Sequence, residues 1–323
     1  MPTRISPSTA GILFIMAGMA AISVNDMMIK QLSGGYPLHE IVFARSFIGL
    51  LFSLIIVQIE GGFSILKTRQ PGLHAIRGML VVISNMTFFL ALATLPLADA
   101  TALFFVAPLF ITVLSIPLLG EKVGPLRIGA VVIGFVGVLL MQRPWASAET
   151  LGASRVILFL PVVAALAYAG LQLLTRKLGT TTKASALAVY IQGVFILVSV
   201  AFFLVAGDGR YAAQVDDPSL QFLLRAWVWP QLGDWVFLLG LGANSAIIGY
   251  CLSAAYKWAD AATVAPFEYV LLPMAVFWGW LFWGELPEPV VWFGMALIIF
   301  SGLFVFLRER QKARADARAS ATG

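Results

Sequence analysis

Charge is scarce in this 323-residue chain. Asp, Glu, Lys and Arg make up 11% of it and hydrophobic residues 60%. Soluble domains carry about a quarter charged residues, so an ordinary water-facing surface is excluded. The mean hydropathy is +0.92. A bilayer accepts that much apolar surface, and the chain reads as an all-α polytopic membrane protein. Cysteine is nearly absent too. Cys251 stands alone, which excludes an internal disulfide and a multi-cysteine metal site. Its simplest reading is a small buried residue. The two histidines, His39 and His74, are too few for a metal centre. There is no G-x-x-x-x-G-K-[ST] phosphate loop, which disfavours an ATP-driven pump. G-x-S-x-G, H-E-x-x-H and paired intramembrane aspartates are also missing, which counts against an intramembrane enzyme.

What is present is long apolar runs. Runs of spanning length occur at 10–30, 38–59, 73–94, 99–118, 125–141, 155–176, 184–206, 235–256, 261–283 and 288–307. Each is long enough, or nearly so, for a hydrocarbon core of about 30 Å. The expectation is ten transmembrane helices. The first is kept as a helix rather than a cleaved signal, because its apolar run continues past the small-residue triplet at Gly18–Ala20.

The chain also repeats itself. ADATALFFVAPLFITVLSIPLLGE runs from Ala98 to Glu121, and ADAATVAPFEYVLLPMAVFWGWLFWGE from Ala259 to Glu285. Both open Ala-Asp-Ala, carry an Ala-Pro and close Gly-Glu. Pro125 and Pro289 each follow the closing glutamate by four residues. Repeats at this scale govern the fold. The units are 10–141 and 154–307, with a basic tail at 308–323. Five spans per unit is an odd number, so the second unit crosses in the opposite sense, the inverted repeat of secondary transporters.

Orientation follows from lysine and arginine. With a cytoplasmic N-terminus, fifteen such residues fall inside and five outside, a positive-inside bias. Both termini are expected to be cytoplasmic. The net charge of +5 is not a nucleic-acid signature, since Arg308, Arg310, Lys312, Arg314 and Arg318 cluster after the last run. Such a tail faces anionic lipid. The one long loop, 207–234, is expected outside, its indoles anchored at the headgroups.

With Asp99, Pro108, Gly120 and Glu121 in one half and Asp260, Pro273, Gly284 and Glu285 in the other, the chain resembles the EamA-type drug/metabolite transporter superfamily. ADATALFF and ADAATVAPFEY are similar to segments of bacterial S-adenosylmethionine and riboflavin uptake carriers. The two motifs differ in length, 22 residues from Asp99 to Glu121 and 25 from Asp260 to Glu285. Pro108 therefore corresponds to either Pro266 or Pro273. The resemblance implies ten helices around a cavity, substrate near the midplane and no prosthetic group or other cofactor.

Glu268 is the sharpest candidate, about eight residues past Asp260 and so about 10–12 Å along its helix. It reads either as a substrate or proton-coupling carboxyl or as a structural glutamate. Arg45 is positioned to bind an anionic group, or to neutralise Asp26 or Glu40. Asp26 and Lys30 are four apart on one helix and read as a local pair, while Asn25, Asp26 and Arg45 together read as an external gate. Asn85, Gln172, Gln192 and Asn244 sit on four different helices, where amides bond neighbouring helices or a shared cavity. Tyr269 and Trp278 are candidate lining aromatics, as are Tyr168, Tyr190 and Tyr250. Asp99 and Asp260 read as helix N-caps, and Glu121 and Glu285 as gating or structural groups that lock against basic loops. Pro108, Pro266 and Pro273 interrupt the backbone ladder within spans.

The expected protein is a secondary transporter of the bacterial inner membrane. It moves an amino-acid-like, S-adenosylmethionine-like or flavin-like metabolite by alternating access. The alternatives are an intramembrane enzyme and a non-transporting sensor or channel. Its partners are the substrate, the lipid bilayer and protons as candidate coupling ion, with no nucleic acid. Monomer and homo-oligomer both stay open.

Overall fold

The computed structural model describes residues 7–68, 70–119, 124–143, 155–178, 184–258 and 267–322. Glu121, Asp260 and Pro266 lie outside them. The described residues form α1 (Pro7–Leu32), α2 (Leu38–Glu60), α3 (Pro71–Leu92), α4 (Leu97–Phe104), α5 (Ala107–Leu119), α6 (Pro125–Gln142), α7 (Arg155–Leu178), α8 (Ala184–Ala206), α9 (Pro218–Leu224), α10 (Trp235–Trp258), α11 (Leu271–Trp283) and α12 (Pro289–Thr322). Among the described residues, seven segments are long and apolar enough to cross a membrane, one of them formed by α4 and α5 together. Ile128–Met141, Leu271–Trp283 and Pro289–Phe304 are shorter apolar helices. The chain is therefore a multi-pass membrane protein.

Local sequence fixes the helix ends. Pro71 and Pro125 open α3 and α6 at the position where a missing N–H costs nothing. Asp217 caps α9, its carboxylate accepting from Ser219 N and Leu220 N. Gly284 closes α11 with φ +66°, a left-handed conformation that favours glycine.

Two apolar stretches that read as single spans are interrupted. The 99–118 run is two helices, with the break at Phe105–Val106 and Pro108 in the first turn of α5. In the 261–283 run the helix is broken by a turn at Tyr269–Val270, and Pro273 lies in the first turn of α11. Pro108 is the second residue of α5 and Pro273 the third of α11. Asp99 is not an N-cap. Its helix begins earlier, at Leu97 after Pro96, and Asp99 lies in the first turn.

Packing pairs elements from the two halves. α1 packs on α10 and α3 on α7; α2 packs on α8 and α6 on α12; α2 also packs on α10 and α3 on α8. α1 touches α11, α4 touches α7, and α4 also touches α11. α6 and α12 run antiparallel. A Cβ on Gly137 would lie 2.8 Å from Gly294 O, and one on Gly294 would meet Met141, so both glycines serve a close approach. α2 and α8 are antiparallel as well, since Glu60 meets Ser185 while His39 meets Phe202.

Candidate functional site

The interrupted helices meet at their breaks. The rings of Phe105 and Tyr269 lie 5.1 Å apart, and Phe104 stacks edge-on against Tyr168 of α7 at 5.3 Å. Glu268, the residue before Tyr269, lies within electrostatic reach of the hydroxyls of both Tyr168 and Tyr269. The Tyr168 hydroxyl also hydrogen-bonds the Gln172 side chain. A proline just past each break fits the geometry: it lacks the N–H that would bond the carbonyl four residues back, Phe104 in one helix and Tyr269 in the other, and its ring crowds that carbonyl.

From the breaks an aromatic band crosses the bundle. Phe104 lies 5.4 Å from Phe88, and Phe88 6.0 Å from Phe89. The guanidinium of Arg45 then sits over the Phe89 ring at 5.5 Å and over Phe195 of α8 at 5.1 Å. Arg45 is 6% exposed. Its Nη1 donates to Asn25 Oδ1 at 3.4 Å, while its Nε has no partner in the protein. Asn25 Nδ2 in turn donates to Asp26 Oδ1 at 3.0 Å. The guanidinium of Arg45 stands at one end of the band and the Glu268 carboxyl at the other, with rings between. Rings bind flat or cationic solutes, and a guanidinium binds carbonyl or carboxylate oxygens.

The other sequence candidates are spread more widely. Trp278 Nε1 donates to Ser23 Oγ at 3.1 Å. Gln192 Nε2 donates to Ser245 Oγ at 3.1 Å. Asn244 Nδ2 bonds Ala21 O at 2.6 Å, joining α10 to α1, and Asn85 Nδ2 bonds Val81 O of its own helix at 3.0 Å. The four amides therefore do not share one set of partners. Phe88, Phe89, Phe104, Phe105 and Phe195 were not singled out by sequence. Phenylalanine in an apolar helix carries no signal until its neighbours are known.

One end of the bundle is closed by charges. Lys30 does not pair with Asp26. Its Nζ lies 2.7 Å from Glu285 Oε2, donates to Leu95 O at 3.0 Å and sits 4.9 Å over the Trp283 ring. Asp99, with its Oδ1 unpartnered, feels Arg143, Glu285, Glu288 and Lys30, and Arg143 pairs with Glu288 at 2.8 Å. The 207–234 segment covers the same end. Tyr36 donates to Asp234 Oδ2 at 2.6 Å and accepts from Gln231 N at 3.0 Å. Burial, with the Asp234 carboxylate beside it, pushes the Tyr36 hydroxyl above its ordinary range, so it stays a donor at neutral pH. Glu40 accepts from Val228 N rather than pairing with Arg45.

A solved crystal structure matches over 94% of this chain and 98% of its own, with a TM-score of 0.62 and 17% identity, a likeness of fold alone. The riboflavin transporter of Vibrio cholerae is 30% identical over 98% of this chain and 99% of its own length. The S-adenosylmethionine uptake transporter of Rickettsia prowazekii is 26% identical over 93% and 94%, and the pseudopaline exporter of Pseudomonas aeruginosa 27% over 90% and 93%. Residues 9–143 and 218–307 match the EamA-like transporter family, and the chain belongs to that family.

Proposed function

We propose that this chain is a secondary transporter that carries a flat, polar heteroaromatic metabolite of the riboflavin class across the bacterial inner membrane by alternating access. The observation that carries the reading is the aromatic band between Arg45 and Glu268. A three-ring solute with carbonyls on one edge and hydroxyls on a side chain suits rings between a guanidinium and a carboxylate. The full-length similarity to riboflavin transporters supports the same substrate class.

Alternating access here rests on two inverted five-helix units, 10–141 and 154–307, with ten spans, both termini cytoplasmic and a basic tail at 308–323. The pairing of helices supports it. Exchanging each helix with its counterpart in the other half turns the α1–α10 contact into α7–α3, α2–α10 into α8–α3, and α1–α11 into α7–α4. The counterparts α2 and α8, and α6 and α12, run antiparallel as inversion demands. The Lys30–Glu285 pair, with Asp99 beside it, serves as the outer gate.

The test is counterflow. Proteoliposomes loaded with riboflavin should accumulate labelled riboflavin from outside, and S-adenosylmethionine should compete poorly. A saturable signal for S-adenosylmethionine and none for riboflavin overturns the substrate class; product formation without a change of compartment overturns the carrier.

A further inference from the structure

A second polar feature lies beside the band and is not used by it. On α2, His39, Ser46, Ser53 and Glu60 recur every seven residues, and on α8, Ser185, Gln192 and Ser199 do the same. Seven-residue spacing keeps side chains on one face of a packed helix. The antiparallel packing lays the two stripes together. Ser185 Oγ donates to Glu60 Oε2 at 2.7 Å, and a Cβ on Gly49 would lie 2.7 Å from Gln192 Nε2. Near the other end His39 stacks on Phe202 at 6.0 Å. α10 flanks the seam with Ser245, which receives the Gln192 amide.

The seam is buried yet incompletely bonded. Ser46 and Ser199 are fully buried, Ser53 is 2% and Gln192 7% exposed. His39 Nε2, Ser46 Oγ, Ser199 Oγ and Gln192 Oε1 have no partner in the protein. Each buried polar atom left unbonded costs about 1–3 kcal/mol, and buried polar groups are otherwise bonded to protein or to water. Water fits here because small residues leave room. A cavity of about 10 Å³, room for one water, is lined by Ser53, Ile56, Ser185, Ala188, Ala246, Gly249 and Tyr250; its walls are mostly apolar, and the Ser53 and Ser185 hydroxyls are the polar partners a water there would use.

We infer that the α2–α8 seam is a hydrated path, separate from the substrate band, that conducts the coupling protons. This rests on the carrier reading. Serine hydroxyls both donate and accept. Each takes a proton from one side and releases its own to the other, so no serine gains net charge. Among the described residues, the ionisable groups along the path are His39 and Glu60 near its two ends, Arg45 one turn from Gly49 on α2, and Tyr250 of α10. Asp26 of α1 acts on Arg45 from behind, Glu40 is held by Val228 N, and Tyr190 of α8 turns to Leu66 O and His74. Arg45 belongs to both regions. Fixed guanidinium charge is a barrier to protons in a narrow water-filled path. A substrate oxygen bonded to Arg45 spreads that charge and lowers the barrier, which ties proton passage to occupancy of the band.

The experiment has two substrate-free arms and one with riboflavin. Radiolytic hydroxyl-radical labelling marks residues beside bound water. In the full chain in detergent, Val57 and Phe195, buried at 0% and 3%, should be labelled, while Leu92, buried at 0% in the apolar core, should not. Failure to label Val57 and Phe195 above Leu92 overturns the hydrated seam. In liposomes with an internal pH dye, Arg45→Ala should raise substrate-free proton leak at least fivefold; no rise overturns the barrier. With riboflavin, Ser46→Ala/Ser199→Ala should lower substrate-driven proton movement at least fivefold and leave counterflow within twofold. Unchanged proton movement, or an equal fall in both, overturns the path. If riboflavin is not carried at all, the substrate reading fails, and the two substrate-free arms still decide the seam.

Discussion

In the first interrupted helix the backbone leaves regularity at Phe105 and Val106, two residues before Pro108. In the second it does so at Tyr269 and Val270, three residues before Pro273. The residues before the breaks differ in chemistry. Phe104 packs edge-on against the Tyr168 ring, and the Glu268 carboxylate acts on the Tyr168 hydroxyl. The two interruptions are alike in backbone, with a phenyl ring before one and a carboxylate before the other. Shape is shared between the halves; charge is not.

The largest effect is expected from removing the charge that distinguishes the two sites. Glu268→Gln keeps the shape and removes the charge. Riboflavin counterflow should fall at least tenfold with the amount of folded protein unchanged, as read by size-exclusion profile. Unaltered counterflow at every pH would remove Glu268 from the site. Arg45→Ala is expected next, weakening apparent affinity about tenfold, the equivalent of 1.4 kcal/mol. Arg45→Lys should recover only part of this, because an ammonium lacks the planar face that lies between Phe89 and Phe195. Equal affinity in Arg45→Ala and the parent would mean that Arg45 is structural.

Much of this contrast was legible in the sequence. Apolar runs announce membrane helices, because length and hydropathy suffice. Prolines announce interruptions, since Pro108 and Pro273 each lie just past one, although the position of each break needed the backbone. What stayed hidden depends on neighbours. Lys30 has Asp26 one turn away on its own helix but bonds Glu285, 255 positions on. Asp99 has the chemistry of a cap, but Pro96 starts the helix before it. Arg45 was legible as a buried charge, and its two phenyl faces were not, since α3 and α8 supply them. The serine stripes on α2 and α8 acquire meaning only once those helices are known to pack together.

Smaller effects sharpen the contrast between the band and the closed end. Lys30→Met or Glu285→Gln should loosen the Lys30–Glu285 closure and change transport two- to fivefold without altering substrate preference. The exchange Lys30→Glu/Glu285→Lys should restore most of it if pairing is what matters, and should be as poor as either single change if position is. Tyr36→Phe should be smallest. It removes one donor to Asp234 and one acceptor for Gln231 N, a loss of about 0.5–1.5 kcal/mol per bond, readable as a lower melting temperature with transport retained. Because Tyr36 has its pKa raised on folding, its contribution is fully present below the unfolded value near 10 and is lost as pH rises beyond it.

The most direct test of the central claim is riboflavin counterflow in proteoliposomes, comparing the parent chain with Glu268→Gln and Arg45→Ala. With substrate between Arg45 and Glu268, the parent accumulates riboflavin saturably and both variants lose it deeply while each remains folded. Counterflow at parental level in both variants would place the substrate elsewhere.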